Sequence, residues 1–292
     1  MITTSALKKK SPTSLLMRKP PKPAVFQGDS FGWLKALEDN SAAAWIFDPP
    51  FPKVEEHRAT GTTTRLKMSK SSHNPWFDAA NFTYEKLPIL LRHANRTLVP
   101  GGHFLMKCDF DLLQEVLKLY PAAGGSLPSV GSEIDLVPQK LLLWDKQALG
   151  TGYVFRSRHE YWLWMVKGSK RRRVANENRS LSDVFRYKRL KGKQYSPAQM
   201  PLAMAYDLVN QVTAPGDLVV DPFCGGGGTV PVVASILGRR IWACELDPSF
   251  AKLANERVAR AMSNKAALLQ ELAGISLAHL QGGVPANSSI ME

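Results

Sequence analysis

The feature that most constrains the fold is a block in which a strand pattern, a glycine-rich turn, a helical pattern and a second strand pattern follow one another. The apolar run 218–220 leads into Asp221, and four glycines at 225–228 precede the helical pattern. A second strand pattern, 240–244, ends at Glu245. Glycines allow the N–H groups of a helix N-terminus to approach a ligand closely, and an acid after the second strand can bind ribose hydroxyls. The block therefore predicts a nucleoside-binding βαβ unit.

The glycine pattern also narrows the ligand class. No Gly-Lys-Ser/Thr follows the glycines, which excludes a P-loop, and the spacing differs from the dinucleotide pattern GxGxxG. A tight turn with only a structural role is the alternative. Because the strand, the helix and Glu245 follow in the required order, the pattern favours a nucleoside-type cofactor.

Positive charge is concentrated in two segments. The chain has 38 Lys+Arg and 25 Asp+Glu, a net charge of +13. Residues 1–23 contain six basic residues and no acid, and residues 167–193 contain eleven basic residues and two acids, so the remaining chain sums to −2. This distribution predicts a polyanionic partner, although the tail is equally compatible with a solvated, disordered segment. Phe185, Tyr187 and Tyr195 lie among the basic residues and predict a surface for phosphates and bases.

Several classes of protein are excluded by composition. The three cysteines, at positions 108, 224 and 244, form no CxxC pair, which argues against a disulfide scaffold and a zinc ribbon. The histidines lack metal-ligand spacing, so no metal is expected. No apolar run approaches the ~20 residues of a membrane span. We expect a cytoplasmic protein, from a bacterium or a phage.

The turn Asp48-Pro49-Pro50-Phe51 directly follows the apolar run 42–47, at the end of a predicted strand, where open α/β sheets bind ligands. Its prolines have no backbone N–H, so the turn offers carbonyl acceptors beside the Asp48 carboxylate. Asp48 and the Pro49 carbonyl can accept the two N–H bonds of a planar amine, and Phe51 can stack on its ring. A strand-ending turn capped by Asp is the structural alternative.

In this order, the two motifs resemble those of β-class S-adenosylmethionine-dependent DNA amino-methyltransferases, which modify adenine N6 or cytosine N4. That family places a DPPY/F catalytic turn before a DPFxGSGTT cofactor loop, and this chain has DPPF at 48–51 and DPFCGGGGT at 221–229. Further elements follow the family's order over residues 24–263: Gly28-Asp29, 98–102, 144–146, 158–160, 167–168, and SPAQMP at 196–201 in place of HPTQKP.

The resemblance implies an α/β fold with a doubly wound, mostly parallel sheet of the class I methyltransferase (Rossmann-like) type and a short basic target-recognition insertion. It divides the chain into a basic tail (1–23), a catalytic part (24–166), the insertion (167–195), a cofactor-binding part (196–263) and a C-terminal helix and tail (264–292). The implied activity transfers a methyl group from S-adenosyl-L-methionine to the exocyclic N6 of adenine, in a base flipped out of double-stranded DNA. Asp at the first position of the turn favours adenine, since cytosine-N4 members more often have Ser.

The resemblance assigns residues to three roles. The catalytic residues are Asp48, Pro49, Pro50 and Phe51; the cofactor-binding residues are Asp29, Asp221, Phe223, Gly225, Gly227, Thr229 and Glu245; the DNA-binding residues are Arg171, Arg172, Arg173, Lys188 and Arg189. A homodimer and a cognate restriction enzyme are both left open.

Three alternatives remain at this stage. The first is a cytosine-N4 methyltransferase of the same family. The second is a catalytically weak nucleic-acid-binding protein on the same fold, because Gly226 and Gly228 replace hydroxyl residues that the family uses near its cofactor. The third is a structured RNA as substrate, which charge alone does not distinguish from DNA.

Overall fold

A computed structural model describes residues 25–51, 82–119, 134–150, 154–190, 195, 199–283 and 287–289. The basic tail 1–23 and the polar segment 52–75, for which a mobile loop is predicted, lie outside these residues. Within the described ranges, no helix is both long and apolar enough to cross a membrane.

The chain alternates strands and helices. The strands are β1 (Val25–Gln27), β2 (Ala42–Phe47), β3 (Leu98–Cys108), β4 (Leu136–Asp145), β5 (His159–Lys167), β6 (Val184–Arg186), β7 (Leu218–Asp221) and β8 (Arg240–Glu245). The helices are α1 (Ser30–Leu34), α2 (Leu87–Thr97) with a preceding 3-10 turn (Tyr84–Lys86), α3 (Phe110–Lys118), α4 (Leu202–Val212), α5 (Thr229–Ile236), α6 (Pro248–Ser263) and α7 (Lys265–Leu280).

The eight described strands form one sheet in the order β1-β8-β7-β2-β3-β5-β4-β6. Only β5 runs antiparallel to its neighbours, β3 and β4; the other adjacent pairs are parallel. Helices cover both faces, as the unbroken apolar strands require. The predicted doubly wound, mostly parallel α/β fold is confirmed. Its consequence for function is that the carboxyl ends of β8, β7, β2 and β3 lie side by side at one edge, which we call the carboxyl edge.

Helix α2 shows how an amphipathic pattern fixes a helix on the sheet. Leu87, Leu90, Leu91 and Ala94 follow a three-to-four-residue period and are buried against a core that includes aromatic side chains of β2 and β3. Ile89 lies on the opposite side of the helix and is 43% exposed.

Two segments differ from the sequence-based expectation. The run 103–107 after the Pro-Gly-Gly turn predicts a strand, but strand β3 begins five residues earlier, at Leu98, because the turn lies inside an irregularity of its pairing with β2. Strand β6 was not predicted, and it lies within the basic insertion. The expectation that Phe185 and Tyr187 form an exposed surface for bases is wrong, because both rings are buried.

We predict that Leu90→Ala lowers the free energy of unfolding by about 2–5 kcal/mol, because it leaves a cavity between α2 and the sheet. Ile89→Ala, at the adjacent position, should change it by no more than about 0.5 kcal/mol. Denaturant unfolding of the two variants measures both values, and equal losses would contradict the assigned face of α2.

Candidate active site

The predicted cofactor and catalytic acids converge at the carboxyl edge. Asp221 is the last residue of β7, Asp48 follows the last residue of β2, and Glu245 is the last residue of β8. Strand β7 pairs with both β2 and β8, so the three carboxyl ends are neighbours. Asp29 joins them from the end of β1, where it caps α1 by accepting from the Phe31 N–H at 3.0 Å.

Glu245 fastens the glycine loop to the end of β8. Its Oε2 accepts from the Gly225 N–H and its Oε1 from the Asp247 N–H, both at 2.9 Å. The Glu245 carbonyl accepts from the Gly28 N–H, also at 2.9 Å. Each carboxylate oxygen retains a further acceptor site, so Glu245 can both hold the loop and accept hydroxyl groups of a ligand.

The glycines at 226 and 227 are required by crowding. A Cβ at Gly226 would lie 2.7 Å from Phe250 Cδ1 and 2.8 Å from the Tyr195 carbonyl oxygen, and one at Gly227 would lie 2.9 Å from Gln199 Cγ. These distances are shorter than van der Waals contact. The loop is therefore packed tightly against the rest of the chain, and the hydroxyl side chain that the related family has at position 226 does not fit here.

The other side of the loop is held by Arg257, whose side chain is almost fully buried. Its Nη1 donates to the Gly227 carbonyl at 2.6 Å, and its guanidinium lies 4.7 Å from the centroid of the Tyr195 ring. The Thr229 hydroxyl donates to the Met200 carbonyl at 3.3 Å. The loop thus enters α5 through contacts with α6 and with the segment that precedes α4.

Burial, and to a smaller extent the proximity of other acids, raises the pKa values of the acids at this edge. Burial raises the pKa of Asp221 well above its usual range, and the nearby Asp48 and Glu245 add to the effect. Burial likewise raises the pKa of Glu245, against hydrogen bonds from backbone N–H groups that stabilise its charge. A cation bound beside these carboxyl groups would favour their ionised forms, so the edge suits a cationic ligand.

Asp48 is held by a lysine that sequence reasoning did not select. Phe47 pairs with Met106 in the β2–β3 register, which brings Asp48 to the level of Lys107. The Lys107 Nζ donates to Asp48 Oδ2 at 2.7 Å, and it lies 2.7 Å from Oε2 of Glu160 on β5. The Lys107 side chain is 3% exposed, whereas that of Asp48 is 31% exposed. Asp48 can therefore meet a ligand, while its cation lies beneath it.

Three further contacts complete this group. Lys146 Nζ donates to Glu160 Oε1 at 2.8 Å. Lys107 Nζ lies 5.6 Å from the centroid of the Phe51 ring and 5.5 Å from that of Trp144. One ammonium thus contacts both ends of the Asp48–Phe51 turn, through an ion pair and a cation–π contact.

The sequence profile of the family described as DNA methylase, for N6 and N4 amines, matches residues 44–256. The chain belongs to this family. It is an S-adenosylmethionine-dependent DNA amino-methyltransferase, as the motif resemblance predicted.

Two type II methyltransferases are similar in sequence to most of the chain. Type II methyltransferase M.HhaII of Haemophilus parahaemolyticus is 27% identical over 192 residues, which are 66% of this chain and 77% of M.HhaII. Type II methyltransferase M.MthZI of Methanothermobacter thermautotrophicus is 25% identical over 263 residues, covering 77% of this chain and 73% of M.MthZI.

Solved structures share the fold at lower identity. TTHA0409 of Thermus thermophilus, complexed with S-adenosyl-L-methionine, has a TM-score of 0.55 at 22% identity and covers 82% of this chain and 93% of its own. The cytosine-N4-specific PvuII DNA methyltransferase has a TM-score of 0.56 at 14% identity, over 91% of this chain and 97% of its own. At these identities the likeness supports the fold.

S-adenosyl-L-methionine is the cofactor of this DNA methylase, and the groups at the carboxyl edge fit it. Glu245 offers acceptors for ribose hydroxyls, and the acids at 29, 48 and 221 suit a sulfonium cation. The partly exposed Phe223 ring, next to Phe31 and Phe82, offers an apolar surface for a purine. Of the predicted cofactor residues, Thr229 and Gly227 make the internal contacts given above.

The predicted DNA-binding arginines at 171 and 172 lie far from this site. The Arg172 N–H donates to the carbonyl of Gly101, near the start of β3, and its guanidinium makes two hydrogen bonds to Asp217, just before β7. Arg171 pairs with both oxygens of Glu177, and Arg173 approaches the same acid at 3.6 Å. These arginines thus lie at the edge of the sheet where β3 and β7 begin, which we call the amino edge and which is opposite Asp48.

The predicted DNA-binding residues Lys188 and Arg189 lie on the site's side. They follow β6, which runs parallel to β4, and both side chains are exposed. The Arg189 N–H donates to the Lys146 carbonyl at 3.2 Å, so this segment adjoins the group around Lys107. Among the described residues, neither side chain has an acid within salt-bridge distance.

We predict that Gly226→Ser weakens binding of S-adenosyl-L-methionine and lowers the melting temperature, because its Cβ must displace Phe250 or the Tyr195 backbone at a cost of about 1–3 kcal/mol. Gly274→Ala is the matched control, since nothing lies within 4 Å of the added Cβ in α7. Calorimetric titration and thermal unfolding give the two readouts. Wild-type affinity in Gly226→Ser would show that the loop relaxes freely.

Proposed function

We propose that this chain methylates the exocyclic N6 amine of adenine in double-stranded DNA. The observation that carries the proposal is the position of Asp48 and Pro49 at the end of β2, next to the cofactor loop that follows β7. One oxygen of Asp48 accepts from the Lys107 Nζ at 2.7 Å, and the side chain remains partly exposed.

The residues of the turn can prepare a poor nucleophile. An exocyclic amine has its lone pair delocalised into the base, and two hydrogen bonds, to Asp48 and to the Pro49 carbonyl, favour a tetrahedral nitrogen. The negative charge of Asp48 stabilises the positive charge that develops on this nitrogen. S-adenosyl-L-methionine, when bound, supplies an electrophilic methyl group. Holding amine and cofactor together on one sheet edge removes much of the entropic cost of their encounter.

The target base must leave the duplex to reach this edge, at a cost of a few kcal/mol. Stacking on Phe51 returns about 1–3 kcal/mol of that cost. The ring of Phe51 is partly exposed and is supported from beneath by the Lys107 ammonium, so one face remains available to a base.

DNA is proposed to contact the exposed side chains of Lys188 and Arg189. They lie on the side of the sheet that carries Asp48, and their charges are available for phosphates. The arginines at 171 and 172 instead stabilise the amino edge through their ion pairs with Glu177 and Asp217.

We predict that Asp48→Ala lowers the rate of methyl transfer at least ~100-fold, while affinity for S-adenosyl-L-methionine stays within a few-fold. Mass spectrometry of nucleosides from DNA incubated with enzyme and labelled cofactor measures the product. Asp39→Asn, an exposed acid paired with Arg96, is the control and should leave the rate unchanged. Label on cytosine N4 would replace adenine as the target, and full activity in Asp48→Ala would refute the assigned site.

We further predict that the double variant Lys188→Ala/Arg189→Ala weakens DNA binding and lowers the salt dependence of log K by about 1.8, if both charges neutralise phosphates. The matched double variant Arg171→Ala/Arg172→Ala removes the same charge. It should lower the melting temperature and leave the salt slope unchanged, because its arginines hold acids of the chain. Fluorescence anisotropy over a salt series separates the two, and a reversed result would place DNA at the amino edge.

A further inference from the structure

We propose that Lys107 is a positioning residue for methyl transfer, which holds the Asp48 carboxylate as an ionised acceptor and supports the Phe51 ring, while Glu160 and Lys146 keep Lys107 in place. This inference rests on the proposed function. It assigns roles to residues outside the catalytic turn and the cofactor loop.

The Lys107 ammonium is enclosed by groups of the site. Its Nζ lies 2.7 Å from Asp48 Oδ2 and 2.7 Å from Glu160 Oε2, and 5.6 and 5.5 Å from the ring centroids of Phe51 and Trp144. Because its side chain is 3% exposed, water does not compete for these contacts. Lys107 therefore fixes Asp48 Oδ2, and the second oxygen is left as the acceptor for an amine.

The charges of the four groups in this cluster balance one another. Asp48 and Glu160 are negative, and Lys107 and Lys146 are positive, so the group of four is neutral. Burying an ion without a partner is costly, so loss of one member changes the protonation of the others. Burial opposes ionisation of Glu160, yet the charges of the two lysines outweigh it and lower its pKa to about 2.

Several ionisable groups on neighbouring strands face Asp48. Burial raises the pKa of Asp48, and Glu160 on β5 raises it further, whereas Lys107 on β3 lowers it. Asp221 on β7 also lies close enough for mutual repulsion with Asp48, as does the Cys108 thiol if it ionises. Within the described part of the chain, Lys107 is thus the cation that opposes this repulsion by direct contact.

The consequence concerns the acidic limit of the reaction. A protonated Asp48 lacks the negative charge that stabilises the developing charge on nitrogen. Its protonated oxygen is also a weaker acceptor for the N–H of the amine. Without Lys107, the carboxylate becomes harder to ionise, so activity should disappear at a higher pH. Without Glu160, a negative neighbour is lost, so the limit should move to a lower pH.

The test measures single-turnover methyl transfer from mildly acidic to alkaline pH, with saturating DNA and cofactor. Lys107→Met is expected to move the acidic limb upward by about 1–3 pH units, the effect of an opposite charge in contact. Lys107→Arg should keep the limb near its wild-type position even if the rate falls. Glu160→Gln should move the limb downward by a smaller amount.

Lys167→Met is the matched control. Lys167 lies at the other end of β5, where its Nζ donates to the Leu98 carbonyl at 2.7 Å, and removing it should leave the limb unchanged. A carbon-13 NMR titration of aspartate carboxyls, with the Asp48 signal identified by its loss in Asp48→Asn, reports the same shifts without any turnover.

The outcomes separate two failures. A wild-type chain that transfers no methyl group to DNA overturns the proposed function, whatever Lys107 does. A wild-type chain that methylates DNA, with a Lys107→Met limb at the wild-type pH or with Lys107→Met and Glu160→Gln shifted in the same direction, overturns the role of Lys107. If Lys107→Met does not fold, Lys107→Gln decides, because its amide can still donate to Asp48 but carries no charge: an upward shift of the limb supports the role of Lys107, and a limb at the wild-type pH overturns it.

Discussion

The carboxyl edge depends on one buried ammonium. Lys107 contacts an acid on each neighbouring strand, and a lysine so enclosed is tolerated only because both acids are ionised and close. These contacts link the turn after β2 to the antiparallel strand β5. The antiparallel direction matters, because it places Glu160, at the amino-terminal end of β5, at the carboxyl edge beside the end of β3. A parallel β5 would bring its other end there.

The glycine loop satisfies a different constraint, which is the lack of space. Gly226 and Gly227 are enclosed by side chains and backbone of the same protein, and Arg257 holds the Gly227 carbonyl from within the core. Where other members of the family have hydroxyl side chains, this loop has glycines that are packed closely against the rest of the chain. Its position is therefore set by these packing contacts together with the hydrogen bond from the Gly225 N–H to Glu245.

The fold could be predicted because its signals are local. Apolar runs, turn residues and the acids at 48, 221 and 245 each identify a strand end, and parallel pairing then brings the ends together. The role of Lys107 could not be predicted this way. It depends on the register between β2, β3 and β5, which aligns residues separated by 59 and 53 positions in the chain. In the sequence, Lys107 is one polar residue at the end of an apolar strand.

In the basic insertion, the sequence suggests available positive charge that the structure shows to be paired with acids. A count of basic residues does not distinguish Arg172 from Arg189, because the acid that binds Arg172 lies outside the insertion. In the structure Arg172 is bound to Asp217, 45 positions away, and its carbonyl accepts from the ring of the buried His103 at 2.9 Å. Burial lowers the pKa of His103 to about 4, against the opposing effect of this hydrogen bond, so the ring is neutral near neutral pH.

The neutral His103 ring, which makes two hydrogen bonds, holds the Arg172 backbone at the amino edge. Trp164 Nε1 donates to His103 Nδ1 at 3.2 Å, which leaves Nε2–H as the donor to the Arg172 carbonyl. The arginine backbone is thereby held by β3 and β5, and its guanidinium by the turn before β7. Positive charge that is neutralised in this way contributes little to the field that a polyanion meets. Exposed basic side chains that no acid of the described chain contacts keep that contribution, and two of them, Lys188 and Arg189, lie after β6 on the same side of the sheet as the Asp48–Phe51 turn.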